Sequence, residues 1–200
     1  MNRWTKLVSY EPAPGDPYAP SSTPLYQNAT FRQPDATGNG AYDYSRSGNP
    51  TRRVLEERLA QLEDGQFGFA FASGMAALSA VTRLASAGDH VIACSDLYGG
   101  THRLLSHVVA HHGIDVTFVD TTDTTALQSA LTSRTRLVLI ETPSNPLLRI
   151  TDIEQTAALA HRVGALLVVD NTLLSPWLQQ PLTLGADVVV HSATKHLGGH

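Results

Sequence analysis

The sequence has one cysteine in 200 residues. Cys94 has no partner for an internal disulfide, so a reducing compartment is expected. Charge is sparse as well: 16% of residues are charged, with 14 basic against 18 acidic and a formal net charge of −4. No run of like charges and no basic stripe occurs, which argues against nucleic acid or an anionic membrane as the main partner. No stretch approaches the roughly 18 apolar residues of a membrane span. The opening "MNRWTKLVSYEPAPGDPY" lacks an apolar core followed by a small-residue cleavage pattern, so a cytoplasmic protein is expected. Two phosphate-binding signatures are also missing: no G-x-G-x-x-G follows the first expected strand, and no G-x-x-x-x-G-K-[ST] occurs anywhere. Nine histidines raise the question of a metal. His107 and His111 have helical i, i+4 spacing, but "HVVAHH" lacks the glutamate of the zinc-protease pattern. His112, and His191, His196 and His200 near the end, are read as surface and rim residues, and no metal site is expected.

What the sequence does contain falls into two parts. Residues 1–50 are rich in Pro, Gly, Ser, Asn and Tyr and lack a sustained period. Their aromatics (Tyr18, Tyr26, Phe31, Tyr42, Tyr44) suit an extended arm lying on another surface better than a solvated tail. From Thr51 a regular alternation begins. "TRRVLEERLAQLED" places Val54, Leu55, Leu59 and Leu62 on one helical face, with Gly65 as a stop. Strands are expected at "FGFAFA" (67–72), "HVIACS" (90–95), "DVTFVD" (115–120), "RLVLIET" (136–142), "LLVVDNT" (166–172) and "DVVVHSA" (187–193). Helices are expected at "SGMAALSAVTRLAS", "THRLLSHVVAHH", "TTALQSALT" and "TDIEQTAALAHRVG". Short, continuously apolar strands alternating with amphipathic helices imply an α/β fold: a mostly parallel sheet with helices on both faces.

Ligands of such sheets sit outside the carboxyl ends of the strands, so the residues after each strand carry the functional information. Ser73-Gly74-Met75 lies between an expected strand and a helix N-terminus, which suits an anion or simply an ordinary cap. Asp170 ends an apolar strand, where an acid pairs with a cation or caps a turn. Lys195 stands among small, uncharged residues in "HSATKHLGGH", as a surface charge or as a chemical group. Ser192 and Thr194 place hydroxyls beside it, and Tyr98 supplies an aromatic ring. Together, an anion site, a buried acid, a ring and a lone amine are the groups that pyridoxal 5'-phosphate requires.

Six motifs stand in order: "YSRSGNPT" (44–51), "SGMAA" (73–77), "YGGT" (98–101), "ETPSNP" (141–146), "VDNT" (169–172) and "SATKHLGGH" (192–200). On these the chain resembles the Cys/Met-metabolism family of pyridoxal-phosphate enzymes, that of cystathionine β-lyase and cystathionine γ-synthase. The resemblance runs from about Thr23 to His200. It implies an aspartate-aminotransferase-like type I large domain over 51–200, with the C-terminal part and the small domain absent. Residues 1–50 become an arm contacting a neighbouring subunit. Lys195 is then the amine that holds the cofactor and shuttles the Cα proton, and Asp170 pairs with the pyridine nitrogen. Tyr98 stacks on the ring and assists exchange of the amine. Gly74 and Met75 N–H groups, with the Ser192 and Thr194 hydroxyls, hold the phosphate. Tyr44 and Arg46 reach the phosphate of a neighbouring subunit, which implies a homo-oligomer, a dimer of dimers. Asn145 lies near the cofactor's 3'-oxygen and the substrate carboxylate. Leu173 and His196 stand where the family often has aromatic residues, a difference read as packing.

The implied activity is that of a carbon–sulfur lyase of trans-sulfuration and methionine biosynthesis. It splits cystathionine by β-elimination into homocysteine, pyruvate and ammonia. The alternatives are γ-replacement on an O-activated homoserine, or a catalytically incomplete fragment that at most binds the cofactor.

Overall fold

The computed structural model describes Thr5 and residues 9–10, 16–38 and 40–198. His200 of the histidine group lies outside the described residues. The chain divides into two compact units, Met1–Ala70 and Phe71–His200.

In the first unit, one antiparallel bridge among the described residues joins Thr30 to Tyr44, flanked by Phe31 N–H to Asp43 O (2.9 Å) and Ser45 N–H to Ala29 O (2.8 Å). Helix α1, Pro50–Glu63, follows. Asn49 caps it by accepting the Thr51 N–H, and Pro50 occupies a first-turn position where its missing N–H costs nothing. The stop falls on Asp64, one residue before the expected glycine, with φ of 58°. Aspartate tolerates that left-handed conformation better than most residues do. The apolar stripe of α1 is only partly covered: Leu55 is 49% exposed and borders an open groove with Leu25, Tyr26 and Arg52.

The second unit is a five-stranded parallel sheet, order β2-β1-β3-β4-β5. Its strands are β1 His90–Cys94, β2 Asp115–Val119, β3 Thr135–Glu141, β4 Leu166–Asp170 and β5 Val188–Val190. Side chains alternate across the sheet, because successive residues of a strand point to opposite faces. Val91, Ala93, Leu137, Leu139 and Val168 join one core, packed on helix α2, Gly74–Thr82, and helix α3, Gly99–His112, through Leu78, Leu105 and Val109. Ile92, Val138, Ile140, Leu167 and Val169 join the other. That core is covered by Leu127 of α4 (Thr124–Ala130) and by Ile153, Ala157 and Ala160 of α5 (Ile153–Arg162). Both faces of the sheet are therefore buried, which is why the strands read as unbroken apolar runs. Helix α3 is continuous but changes its winding. It opens as Gly99–Arg103, widens to a π-helical stretch at Leu104–Val109 and ends in a 3-10 turn at Ala110–His112. A four-residue α6, Ser175–Leu178, precedes a 3-10 turn at Pro181–Leu184.

One expected strand is not there. Residues 67–72 form no regular element and pair with no strand among the described residues, and Phe67, Phe69 and Phe71 are 78%, 75% and 49% exposed. An apolar run becomes a buried strand only where a neighbour takes its ladder hydrogen bonds and a layer covers its faces. Composition reports the propensity, not the presence of that neighbour.

Candidate active site at the carboxyl edge of the sheet

β1, β3, β4 and β5 all end at the same rim, and each delivers a polar residue just as its apolar run stops. At the end of β4, Asp170 is 9% exposed. Its Oδ1 accepts the Thr172 hydroxyl (2.5 Å) and the Thr172 N–H (3.1 Å). Burial raises the Asp170 carboxyl above the usual aspartate range, opposed by the Thr172 hydrogen bonds and the nearby His191. A buried acid in this state gains most from a cationic partner brought in by a ligand.

The same threonine leads to the next loop, because Thr172 Oγ1 accepts the Ser192 N–H (2.9 Å). Ser192 Oγ and Thr194 Oγ1 lie 3.0 Å apart. A hydrogen-bonded chain thus runs Asp170–Thr172–Ser192–Thr194 along the rim. Ser192 also touches the start of α2. A Cβ on Gly74 would stand 2.9 Å from Ser192 Cβ and 3.2 Å from its Cα. Only glycine lets the helix N-terminus and the Ser192 loop approach this closely. Ser73 caps the helix by accepting the Ala76 N–H at 3.1 Å. The unpaired first-turn N–H groups of a nine-residue helix and two hydroxyls therefore converge on one small region, as an anion requires.

Tyr98 precedes α3 with its ring 47% exposed. A Cβ on Gly100 would stand 2.4 Å from Tyr98 Cε1 and 3.0 Å from Met75 Sδ. The tyrosine ring, from the loop before α3, and the Met75 side chain, from the first turn of α2, thus close over Gly100. Lys195 lies exposed on the turn 193–198, its N–H donating to Ser192 O at 3.1 Å. That turn is tight, since a Cβ on Gly198 would fall 2.2 Å from Ala193 O. Among the described residues the Lys195 side chain has no ion-pair partner. Asn145 is exposed at the tip of the loop after β3.

Tyr44 and Arg46 belong to the first unit and form a pair there. Arg46 Nη2 donates to the Tyr44 hydroxyl at 2.8 Å, and the guanidinium carbon lies 5.2 Å from the ring centroid. Among the described residues no group of three or more His, Cys, Asp or Glu side chains could hold a metal.

Sequence reasoning assigned no role to Glu141, Asp96 or Thr172. Glu141 is the last residue of β3, 6% exposed, and its Oε2 accepts the Tyr98 N–H at 2.8 Å. Its carboxyl is pushed up to about 7, mainly by burial and further by the neighbouring Asp170 and Asp96. Asp96 receives the Ser144 hydroxyl and, at 3.1 Å, the Leu147 N–H, so it ties the loop after β1 to the loop after β3. The cavity these groups line beside Cys94 and Thr151 holds only about 10 Å³, room for no more than a water. Cys94 is inert there, because burial pushes its thiol up to about 12. The signal that singled out Asp170, an acid closing an apolar strand, was equally present in "RLVLIE".

A parallel sheet whose strand ends gather a glycine-tight helix N-terminus, hydroxyls, a buried acid and a lysine defines a phosphate-cofactor enzyme of the α/β class. The family model for "Cys/Met metabolism PLP-dependent enzyme" matches residues 4–200, and the chain belongs to that family. It is 55% identical over 185 residues to a chloroplastic cystathionine beta-lyase of Mimosa pudica, covering 92% of this chain and 40% of that protein. A cystathionine gamma-lyase of Bacillus subtilis is 51% identical over 179 residues, covering 90% of this chain and 47% of that one. Among solved structures, the cystathionine gamma-lyase of Lactobacillus plantarum complexed with L-serine superposes with a TM-score of 0.94 at 48% identity. All of this chain and 52% of that one are covered. The chain thus spans about half the length of the relatives it matches. The family depends on pyridoxal phosphate, and the residues at the rim fit it. The Gly74–Ser192 cradle suits a phosphate, and Asp170 is a buried acid in want of a cation.

Proposed function

We propose that this chain carries the cofactor-binding half of a pyridoxal-phosphate-dependent carbon–sulfur lyase that cleaves cystathionine by β-elimination. The products are homocysteine, pyruvate and ammonia. The observation that carries the reading is the hydrogen-bonded chain from Asp170 through Thr172 to Ser192 and Thr194, ending beside Gly74. It joins a group suited to a ring nitrogen to groups suited to a phosphate.

Pyridoxal phosphate, when bound, supplies an electron sink for the pair left on Cα when its proton departs. The N–H groups of Gly74 and Met75, with the Ser192 and Thr194 hydroxyls, would hold its phosphate. Asp170 would keep its ring nitrogen protonated, with the Thr172 bonds orienting the carboxylate. Tyr98 would cover the ring and exclude water, and Asn145 would serve its 3'-oxygen. The Lys195 amine would anchor it and, when free, would take the Cα proton of the substrate. The Tyr44–Arg46 pair on the arm of residues 1–50 reaches the phosphate in a neighbouring subunit, so the working form is a homo-oligomer in the cytoplasm.

A second reading has support in the γ-lyase relatives at similar identity, which leave the choice of Cβ or Cγ chemistry open. Turnover assays separate the two. Pyruvate released from cystathionine supports β-elimination. 2-Oxobutyrate from cystathionine, or cystathionine formed from O-activated homoserine and cysteine, overturns it in favour of γ-chemistry. A chain that binds the cofactor but turns over neither substrate is a cofactor-binding fragment.

A further inference from the structure

Glu141 occupies an unusual place for an acid. It is buried at the rim, no basic side chain among the described residues is hydrogen-bonded to it, and the charged groups that bear on it are Asp170 and Asp96, both of its own sign. Asp170 is its register partner on the adjacent parallel strand, so the two carboxylates emerge on the same side of the sheet. Holding like charges together in a buried place is unfavourable, and a neutral acceptor would fill the same space without that cost. What the carboxylate does is accept the backbone N–H of Tyr98, 43 positions earlier in the chain, at 2.8 Å. The backbone N–H of Asn145, at the tip of the loop after β3, also faces it and favours its charged form. The Glu141 N–H in turn donates to Cys94 Sγ at 3.2 Å, which fixes the end of β3 against the end of β1. Tyr98 makes no side-chain cap bond at the start of α3; its carbonyl accepts the His102 N–H at 3.1 Å, and its own N–H is held by Glu141.

We infer that Glu141 is a positioning residue of the cofactor site: its buried carboxylate fixes the Tyr98 backbone, and with it the ring packed over Gly100, while also holding the Asn145 loop. A charged acceptor gives shorter, stiffer hydrogen bonds than a neutral one. Stiffness matters here because the ring lies directly against Gly100, where it occupies the space a Cβ would take, while Tyr98 as a whole is half-exposed and has little else to hold it. A small shift of the loop therefore rotates the ring away from the face it covers. The inference rests on the reading of Tyr98 as the residue that covers the cofactor ring.

The test uses Glu141→Gln and Tyr98→Ala, singly and together, in this chain. In the wild type, the backbone amide signals of Tyr98 and Asn145 move together in a pH titration with a midpoint of about 7. Glu141→Gln abolishes that shared titration and speeds exchange of the Tyr98 amide. Retention of pyridoxal phosphate falls about tenfold in Glu141→Gln, with an altered visible circular-dichroism band. The same change adds little once Tyr98 is alanine, because the residue it acts through has lost its ring. A Tyr98 amide that neither titrates nor responds to Glu141→Gln overturns the inference. So does an equal loss of retention in both backgrounds, which marks a general structural role. A wild-type chain that retains no cofactor overturns the functional reading instead, and the amide titration still decides whether Glu141 fixes the loop.

Discussion

In Phe71–His200 the large aliphatic side chains of β1, β3 and β4 are buried on both faces of a sheet, whereas in Met1–Ala70 Leu25, Leu55, Phe67 and Phe69 are exposed. The two units are held by different forces. Layered burial of apolar surface holds the second. In the first, polar side chains bond the backbone at long range. Thr51 Oγ1 donates to Pro24 O (2.7 Å) and accepts the Tyr26 N–H (3.0 Å), Asn49 Nδ2 donates to Tyr26 O (3.0 Å), and Arg52 reaches Ser47 O (3.0 Å). A segment built this way has a defined path but little core of its own. That is the character expected of an arm that completes its burial against a partner.

The contrast can be broken with one type of substitution made in both units. Leu105→Ala, at a fully buried position under the sheet, is expected to cost about 2–5 kcal/mol in urea unfolding. Leu55→Ala, on the half-exposed face of α1, is expected to cost well under about 1 kcal/mol in the isolated chain. Equal losses would mean that the first unit buries its helix after all. At the rim, Gly74→Ala forces a methyl against Ser192, and overpacking of this kind costs about 1–3 kcal/mol. Retention of pyridoxal phosphate should fall further than that stability loss alone explains, because the phosphate cradle itself is displaced.

The pH dependence of stability sharpens the contrast from another side. His90 is buried between Thr135 and Thr117, one hydroxyl 2.9 Å from each ring nitrogen, and burial lowers its pKa below 6.5. The unfolded chain then binds the extra proton more readily, so this group's contribution is complete above about 6.5 and declines as pH falls below it. Glu141 acts with the opposite sign. Its folded value of about 7 lies above its ordinary 4.5, so the folded chain holds the proton longer and stability declines as pH rises between them. Thermal unfolding across this range should show Glu141→Gln removing the alkaline-side decline and leaving the acid-side decline in place. The smallest effect is expected in the arm. Tyr44→Phe removes the exposed Arg46 bond and should change the stability of the isolated chain by less than about 0.5 kcal/mol.

The two units also differ in how far they can be read from sequence. β1, β3 and β4 are legible because double-sided burial demands unbroken apolar runs, and Asp170 stands out because it ends one; β2, at the sheet edge, shows the weaker alternating pattern of DVTFV. Glu141 ends another, yet its role depends on Tyr98, Cys94 and Asp170, which only strand register brings beside it. "FGFAFA" carries the same apolar signal and pairs with nothing among the described residues, since propensity cannot supply a neighbour. The apolar face of α1 was legible as a pattern, but the covering of Leu55 depends on what else the unit contains. The π-helical widening of α3 leaves no mark in its residue spacing.

The account turns on Lys195 as the anchor of the cofactor, and the chain has only one other lysine, Lys6. Incubation with pyridoxal phosphate, borohydride reduction and peptide mass spectrometry tests it directly. The label is expected on Lys195 in the wild type, with the cofactor's visible absorbance band lost in Lys195→Ala. Label divided evenly between Lys6 and Lys195, or an unchanged band in Lys195→Ala, would contradict it.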